Sequence, residues 1–193
     1  MNNQTKKDFF NDTLIDPITK EKIKHINKDE IIFNCISKYP IINEIPIIID
    51  ETESIFKIND IIIEKSTTQN PKYRGKSLKN VVRQKIIPSL SKDFTQVKRY
   101  EKLALKHKHG KVLIIGAGDK IEWYNSLFSN KSLVITSDVH SQFKPDVVFD
   151  SHQIPFADES FDLIIAGQVL EHTFKPWIVA KELERVVKTN GNL

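Results

Sequence analysis

Cysteine occurs once in these 193 residues, at Cys35. A lone thiol excludes an internal disulfide framework, and it cannot supply the four N or S donors of a structural zinc cage. Long apolar runs are missing too: none approaches the ~20 residues that span a bilayer. The opening segment Met1-Asn-Asn-Gln-Thr-Lys-Lys-Asp8 has no apolar h-region of a secretory signal. Internal repeats and low-complexity tracts are absent. The expectation from these absences is a soluble cytoplasmic protein. What is present suffices for a core: the apolar fraction is 39%, and the length suits one medium domain or two small ones.

The net charge of +4 is unevenly spread. Residues 65–108 hold 13 Lys and Arg against two acids, Asp93 and Glu101, while both flanks are slightly acidic. Such a stretch can face an anionic substrate or nucleic acid. Its aromatic interleaving is thin (Tyr73, Phe94, Tyr100), which suits a solvated helical connector.

The second half alternates in a βαβ manner. Lys111-Val-Leu-Ile-Ile-Gly-Ala-Gly-Asp119 is an apolar strand running into a Gly-x-Gly turn. A helix is expected at about 120–128, a strand at 132–136, a short run Asp146-Val-Val-Phe149 and a strand at 162–166. A helix at about 175–188 should follow, with Pro176 in its first turn and Trp177, Val179, Ala180, Leu183, Val186 and Val187 buried. Asp138, twenty residues past Gly118, ends the second strand. An acid there can take both hydroxyls of a ribose, and ligands of such sheets bind at the carboxyl ends of the strands.

Beyond that pattern stand Asp150-Ser-His-Gln-Ile-Pro-Phe156, Asp158-Glu-Ser-Phe-Asp162 and Val169-Leu-Glu-His172. With the glycine turn and Asp138 they resemble the class I S-adenosylmethionine (SAM) dependent methyltransferases of the small-molecule type, over residues 109–193. The resemblance implies an α/β fold: a Rossmann-like parallel sheet, here strands one to four. It implies SAM as cofactor, with Gly116, Ala117 and Gly118 at its methionine part and Asp138 and Val139 at ribose and adenine. Asp150, Ser151 and His152 would lie at the adenine amine, and Gln168 beside the sulfonium. His172 is a candidate general base, and helix-start packing is its bland alternative. Asp162 reads as a structural turn acid. Two places depart from the pattern: Ile114 stands where the family has an acid, and Lys120 where it has a third glycine.

Residues 1–55 read as a small β-rich unit. A short strand and turn are expected at Thr13–Ile23, and two β segments between Glu30 and Ile49. Tyr39-Pro-Ile-Ile-Asn-Glu-Ile-Pro-Ile47 resembles the end of a small zinc-ribbon family that includes tRNA-methyltransferase activators. The family's first Cys-Pro-x-Cys is here Asp16-Pro-Ile-Thr19, and its second pair is Ile32 and Cys35. No zinc is expected, with Cys35 a small buried hydrophobe, His25 on the surface and the isoleucines holding the fold in place of the metal.

Residues 56–108 are expected to be a basic, partly helical connector: a loop at 66–75, a helix at 77–87 and a better one at 91–106. This last helix either packs on the sheet edge or roofs the cofactor. Lys188-Thr-Asn-Gly-Asn-Leu193 resembles the turn into the family's fifth strand, so the chain reads as truncated there, with the fourth strand's edge unpaired. The functional expectation is a methyl transfer to a small or anionic acceptor, such as a glycan or lipid precursor. RNA is less favoured, and oligomeric state is open. The competing readings are a vestigial, noncatalytic scaffold and an NAD(P)-dependent oxidoreductase. The latter needs a third glycine where Ile121 stands.

Overall fold

The computed structural model describes residues 3–63, 94–128, 132–167 and 169–193. The chain divides into two compact units, one of residues 1–64 with 107–193, the other of residues 65–106. In the second unit the described part is helix α3, Phe94–Lys106. The loop and helix expected at 66–75 and 77–87 lie outside the described residues.

The first unit begins with helix α1, Asn3–Thr13, ahead of the place where a strand is expected. Leu14 and Ile15 make only single bridges, to Phe156 and Lys22. An antiparallel meander follows: β1 Ile23–Ile26, β2 Glu30–Phe33, β3 Lys38–Ile42 and β4 Ile45–Ile48. After a short helix α2, Ile58–Ile62, come β5 Lys111–Ile115, helix α4 Ile121–Phe128, β6 Leu133–Ser137 and β7 Val148–Phe149. The unit closes with β8 Phe161–Ile165, helix α5 Pro176–Val186 and β9 Val187–Asn192.

β6, β5, β8 and β9 form a parallel sheet in that order, with β5 central. Of its two interior strands, β5 is buried along Val112–Ile115, as a sheet covered on both faces requires. The edge of β8, expected to be bare, is paired with β9. Gly191 makes this fit possible: a Cβ there would stand 2.6 Å from Val187 Cγ2 and 3.0 Å from the Asp162 carbonyl oxygen.

The meander is joined to this architecture through β7. Ile47 and Ile48 of β4 pair in parallel with Val148 and Phe149, and Val147 bridges to Ser137 at the end of β6. Beneath the joint lies one core. Phe9 packs on Phe161 at 5.5 Å between ring centroids, Phe156 on Phe161 at 4.9 Å and Phe149 on Phe156 at 6.1 Å. All four rings are buried, so the phenylalanines of the 150–162 motif serve as packing against α1.

Helix α5 starts on Pro176, where a missing N–H is harmless. It buries Val179, Leu183 and Val186. Trp177 is 62% exposed and Ala180 is also outward, contrary to expectation, and Val187 belongs to β9. The helix ends earlier than 188 and its inward stripe is narrower than the apolar count suggests. Arg185 latches the helix to the motif loop. It donates to the carbonyls of Phe156 (2.6 Å) and Ile154 (2.7 Å) and to Glu182 and Asp158. Glu182 in turn accepts from the Ile154 N–H at 2.8 Å.

Between the turn that precedes β1 and the turn that joins β2 to β3, a carboxylate takes the central place. Asp16, 1% exposed, accepts from the N–H groups of Ile18 and Thr19 at 2.9 and 2.8 Å. Ser37 Oγ donates to it at 2.5 Å and Tyr39 Oη at 3.2 Å. Cys35 is half-buried, with Sγ 3.0 Å from Ser37 Oγ. The isoleucines therefore do not hold this end alone; a polar hub ties the two turns. His25 is exposed on β1. Among the described residues no group of three or more His, Cys, Asp or Glu could hold a metal ion.

Burial acts to raise the Asp16 pKa, but the donors from Ser37, Thr19 and Ile18 outweigh it and hold it below the ordinary 3.8. A carboxyl depressed in the folded state stabilises above its unfolded pKa and loses that contribution as pH falls through the folded value. Asp16→Ala should cost about 3 kcal/mol in urea unfolding at neutral pH, since charged hydrogen bonds are lost and donors are stranded. The gap between wild type and variant should shrink below pH 3.8.

Candidate functional site

The site is built where β5 and β6 end side by side. β5 runs into Gly116 and Gly118, both with positive φ (+66° and +54°), a conformation that costs an L-residue about 1–2 kcal/mol. Between them Ala117 turns inward, 3% exposed, and its N–H donates to the Ser137 carbonyl at 3.1 Å. A Cβ on Gly116 would lie 2.9 Å from Val169 Cγ2, whereas one on Gly118 would meet nothing within 4 Å. The first glycine is needed for close packing against the segment after β8. The second leaves open space above the backbone.

Asp138 stands just past β6 and is 7% exposed. Its Oδ2 accepts from the Gly118 N–H at 2.8 Å and its Oδ1 from the His140 N–H at 2.9 Å. One carboxylate thus fixes both the glycine loop and the turn after β6, and each oxygen keeps a further lone pair for a ligand hydroxyl. Burial pushes the Asp138 pKa above the ordinary carboxylate value, with the His140 and Gly118 amides opposing. Val139 is half-buried next to it.

Asp150 and Ser151 follow β7 and are both buried, at 4% and 9% exposure. Asp150 Oδ2 accepts from Ser54 Oγ at 2.5 Å, and Oδ1 lies 3.0 Å from the His152 N–H and 2.7 Å from its Nδ1. The turn after β6 is also tied to the meander side: Ser141 Oγ donates to the Ile61 carbonyl at 3.1 Å. Nothing in the sequence signals Ser54, which lies 96 residues from its partner. Gln168 lies outside the described residues. His172 sits in a short 3-10 turn, Leu170–His172, with its side chain 71% exposed and Nε2 3.5 Å from Glu171 Oε1.

Asp162 accepts from the Lys111 N–H at 2.8 Å and from Lys188 Nζ at 2.7 Å, so it clamps the start of β5 to β8 and β9. Ile114, the place of the family's acid, is fully buried inside β5 between Thr136 and Ile165. Lys120 is exposed in the 3-10 turn that leads into α4.

Residues 125–193 match the family model described as "Methyltransferase domain". No curated protein matches. Among solved structures, a putative S-adenosyl-L-methionine-dependent methyltransferase from Methanococcus maripaludis is similar at 16% identity, with TM-score 0.43, covering 66% of this chain and 64% of that one. A putative methyltransferase from Bacillus halodurans is similar at 21% identity and TM-score 0.41, covering 49% and 48%. A SAM-dependent methyltransferase from Aquifex aeolicus is similar at 23% identity and TM-score 0.39, covering 50% and 58%. The chain spans about half the length of the first of the solved structures it matches. Among the described residues no helix is long and apolar enough to cross a membrane.

Two outcomes follow from the geometry. Gly116→Ala should destabilise by more than Gly118→Ala in chemical unfolding: both pay the positive-φ penalty of about 1–2 kcal/mol, but only the first must also displace Val169. For Asp138, a folded pKa above the unfolded 3.8 means its contribution to stability is full below that value and declines as pH rises through the folded one. The unfolding free energy of wild type relative to Asp138→Asn should therefore fall as pH is raised across that window.

Proposed function

We propose that this chain carries the cofactor-binding part of a class I SAM-dependent methyltransferase. The observation that carries the reading is the bond from the Gly118 N–H to Asp138, at the ends of adjacent parallel strands, in a chain whose residues 125–193 match a methyltransferase family model. The residues fit the cofactor. Gly118 leaves room for a ligand against exposed backbone, and the nearly buried Asp138 has lone pairs left for two ribose hydroxyls. Gly116, Ala117 and Gly118 would border the methionine part, and Val139 would flank the base.

When bound, SAM supplies a methyl group on a sulfonium, so the chemistry needs alignment more than activation. The chain's own contribution is to hold the sugar through Asp138, to keep the glycine loop in its positive-φ shape and to shield the base between the loops after β6 and β7. The buried Ile114 is accommodated as sheet core, which makes the missing acid a structural substitution within β5. His172 points outward beside Glu171, which does not favour a proton-transfer role.

The acceptor in this reading is a small or anionic molecule, such as a glycan or lipid precursor, a class suggested by the excess of Lys and Arg over residues 65–108. The noncatalytic scaffold reading has in its favour the departures at Ile114 and Lys120.

Calorimetric titration of S-adenosylhomocysteine separates the two. A carboxylate bonded to hydroxyls contributes about 1.5–3 kcal/mol per bond, so Asp138→Ala should weaken binding at least ~10-fold. No binding by folded wild-type protein would refute the cofactor assignment and leave the scaffold reading.

A further inference from the structure

Helix α3, Phe94–Lys106, sorts its residues by side. At about 3.6 residues per turn, Tyr100, Leu103 and Ala104 share one side, and all three are half-buried. The opposite side carries Lys98, Arg99 and Lys102, all exposed. Set among these cations are two aliphatic side chains that the fold leaves in solvent: Val97, 40% exposed, and Leu105, 76% exposed. Leu105 stands two turns beyond Lys98 on nearly the same line of the helix.

Charge decides what such a face meets. Within α3, Lys98, Arg99, Lys102 and Lys106 stand against Glu101 alone. The helix lies in the stretch of residues 65–108 that holds 13 Lys and Arg against two acids. Its partner is therefore anionic. Nucleic acid is one such partner, but single strands are held by aromatic stacking as well as by cations, and Val97 and Leu105 have no π-face to offer. A small soluble anion has no use for these aliphatic groups either. An anionic lipid surface uses both kinds of side chain: the headgroups attract Lys and Arg, while aliphatic groups enter the acyl boundary and the long basic stems snorkel. With 13 residues the helix is shorter than the ~20 needed to cross a bilayer, so it would lie along the surface.

We propose that the exposed side of α3 docks on an anionic lipid surface, with Lys98, Arg99 and Lys102 at the headgroups and Leu105 and Val97 at the acyl boundary. The attachment is peripheral and reversible. One short helix inserts few side chains, so the ionic part carries much of the binding and salt weakens it. The inference goes beyond the methyltransferase reading and does not depend on it.

The test is co-sedimentation of the full chain with vesicles of phosphatidylcholine alone and of phosphatidylcholine mixed with phosphatidylserine, at low and high salt. Wild type should bind the mixed vesicles, ignore the neutral ones and be released by high salt. Lys98→Gln, Arg99→Gln and Lys102→Gln combined should weaken that binding roughly 100-fold, at about fivefold for each cation near the surface. Leu105→Gln, which removes no charge, should weaken it by ~10-fold, the value of burying one aliphatic side chain. Leu105→Trp should keep binding and be quenched by lipids brominated on their acyl chains, beyond the quenching that Trp123 and Trp177 give in wild type. Folded wild type that binds neither vesicle overturns the proposal, as does equal binding to both. Tight binding of oligouridylate by wild type that leaves the mixed vesicles free overturns it in favour of nucleic acid. A loss in the triple variant with none in Leu105→Gln and no added quenching overturns it by showing a purely ionic contact. The substituted side chains are exposed, and circular dichroism checks each variant; if one does not fold, the comparison of vesicles and salt on wild type decides.

Discussion

The parallel pairing of Ile47 and Ile48 with Val148 and Phe149 is the contact on which the rest of this molecule depends. β7 is only two residues long and would be a weak edge by itself, bridged to β6 at a single point. With β4 on its other side, Val148 and Phe149 gain a paired neighbour strand. The loop that leaves its carboxyl end starts from a fixed place. The phenylalanines behind it make the same junction apolar, so the pairing and the core reinforce each other. Everything at the carboxyl end of β7, from Asp150 to His152, inherits its position from that joint.

Carboxylates, three of them buried, do the local work that the few glycines and the single cysteine cannot. Asp16 ties two turns of the meander, Asp138 ties two loops at the strand ends, Asp150 ties the β7 loop to Ser54 and Asp162 ties β5 to Lys188. Each accepts backbone N–H groups or side-chain donors that would otherwise be stranded. The physical logic is common: a short side chain with four lone pairs satisfies several donors from different segments, and the cost of burying charge is met by those donors. What differs is exposure to a ligand. Asp16 and Asp150 are spent on the chain, while Asp138 retains capacity beside open space.

Sequence reasoning located β5, the glycine turn, β6, β8 and α5 because their signals are local. Apolar runs of five residues, glycines at positive φ and a proline at a helix start need no tertiary information. The placement of Asp162 as a structural acid was likewise legible from its position at the head of a strand. The outward Trp177 was misjudged because helical periodicity does not tell how wide a stripe the neighbouring sheet will cover. Helix α1 was missed because Asn3–Thr13 is polar overall, and its two phenylalanines find their partners near residue 156. The Asp16 hub, the Arg185 latch and Ser54 were not visible because each joins residues whose nearness is made only by the fold.

The stitch between the meander and the parallel sheet has a kinetic consequence. Lys6 bonds to Asp146 across 140 residues, and Ser54 to Asp150 across 96. Pairings of such sequence separation are slow to form, because the loop must close before any contact rewards it. During synthesis the meander leaves the ribosome well before β7 and the 154–161 aromatic segment exist. Until they arrive, β4 has an open edge and Phe9, Phe10 and Leu14 have no core to enter, which is the kind of intermediate that associates with other chains. Folding of the first unit is therefore a late event in the life of the nascent chain, and its yield turns on how long that apolar edge stays unpaired.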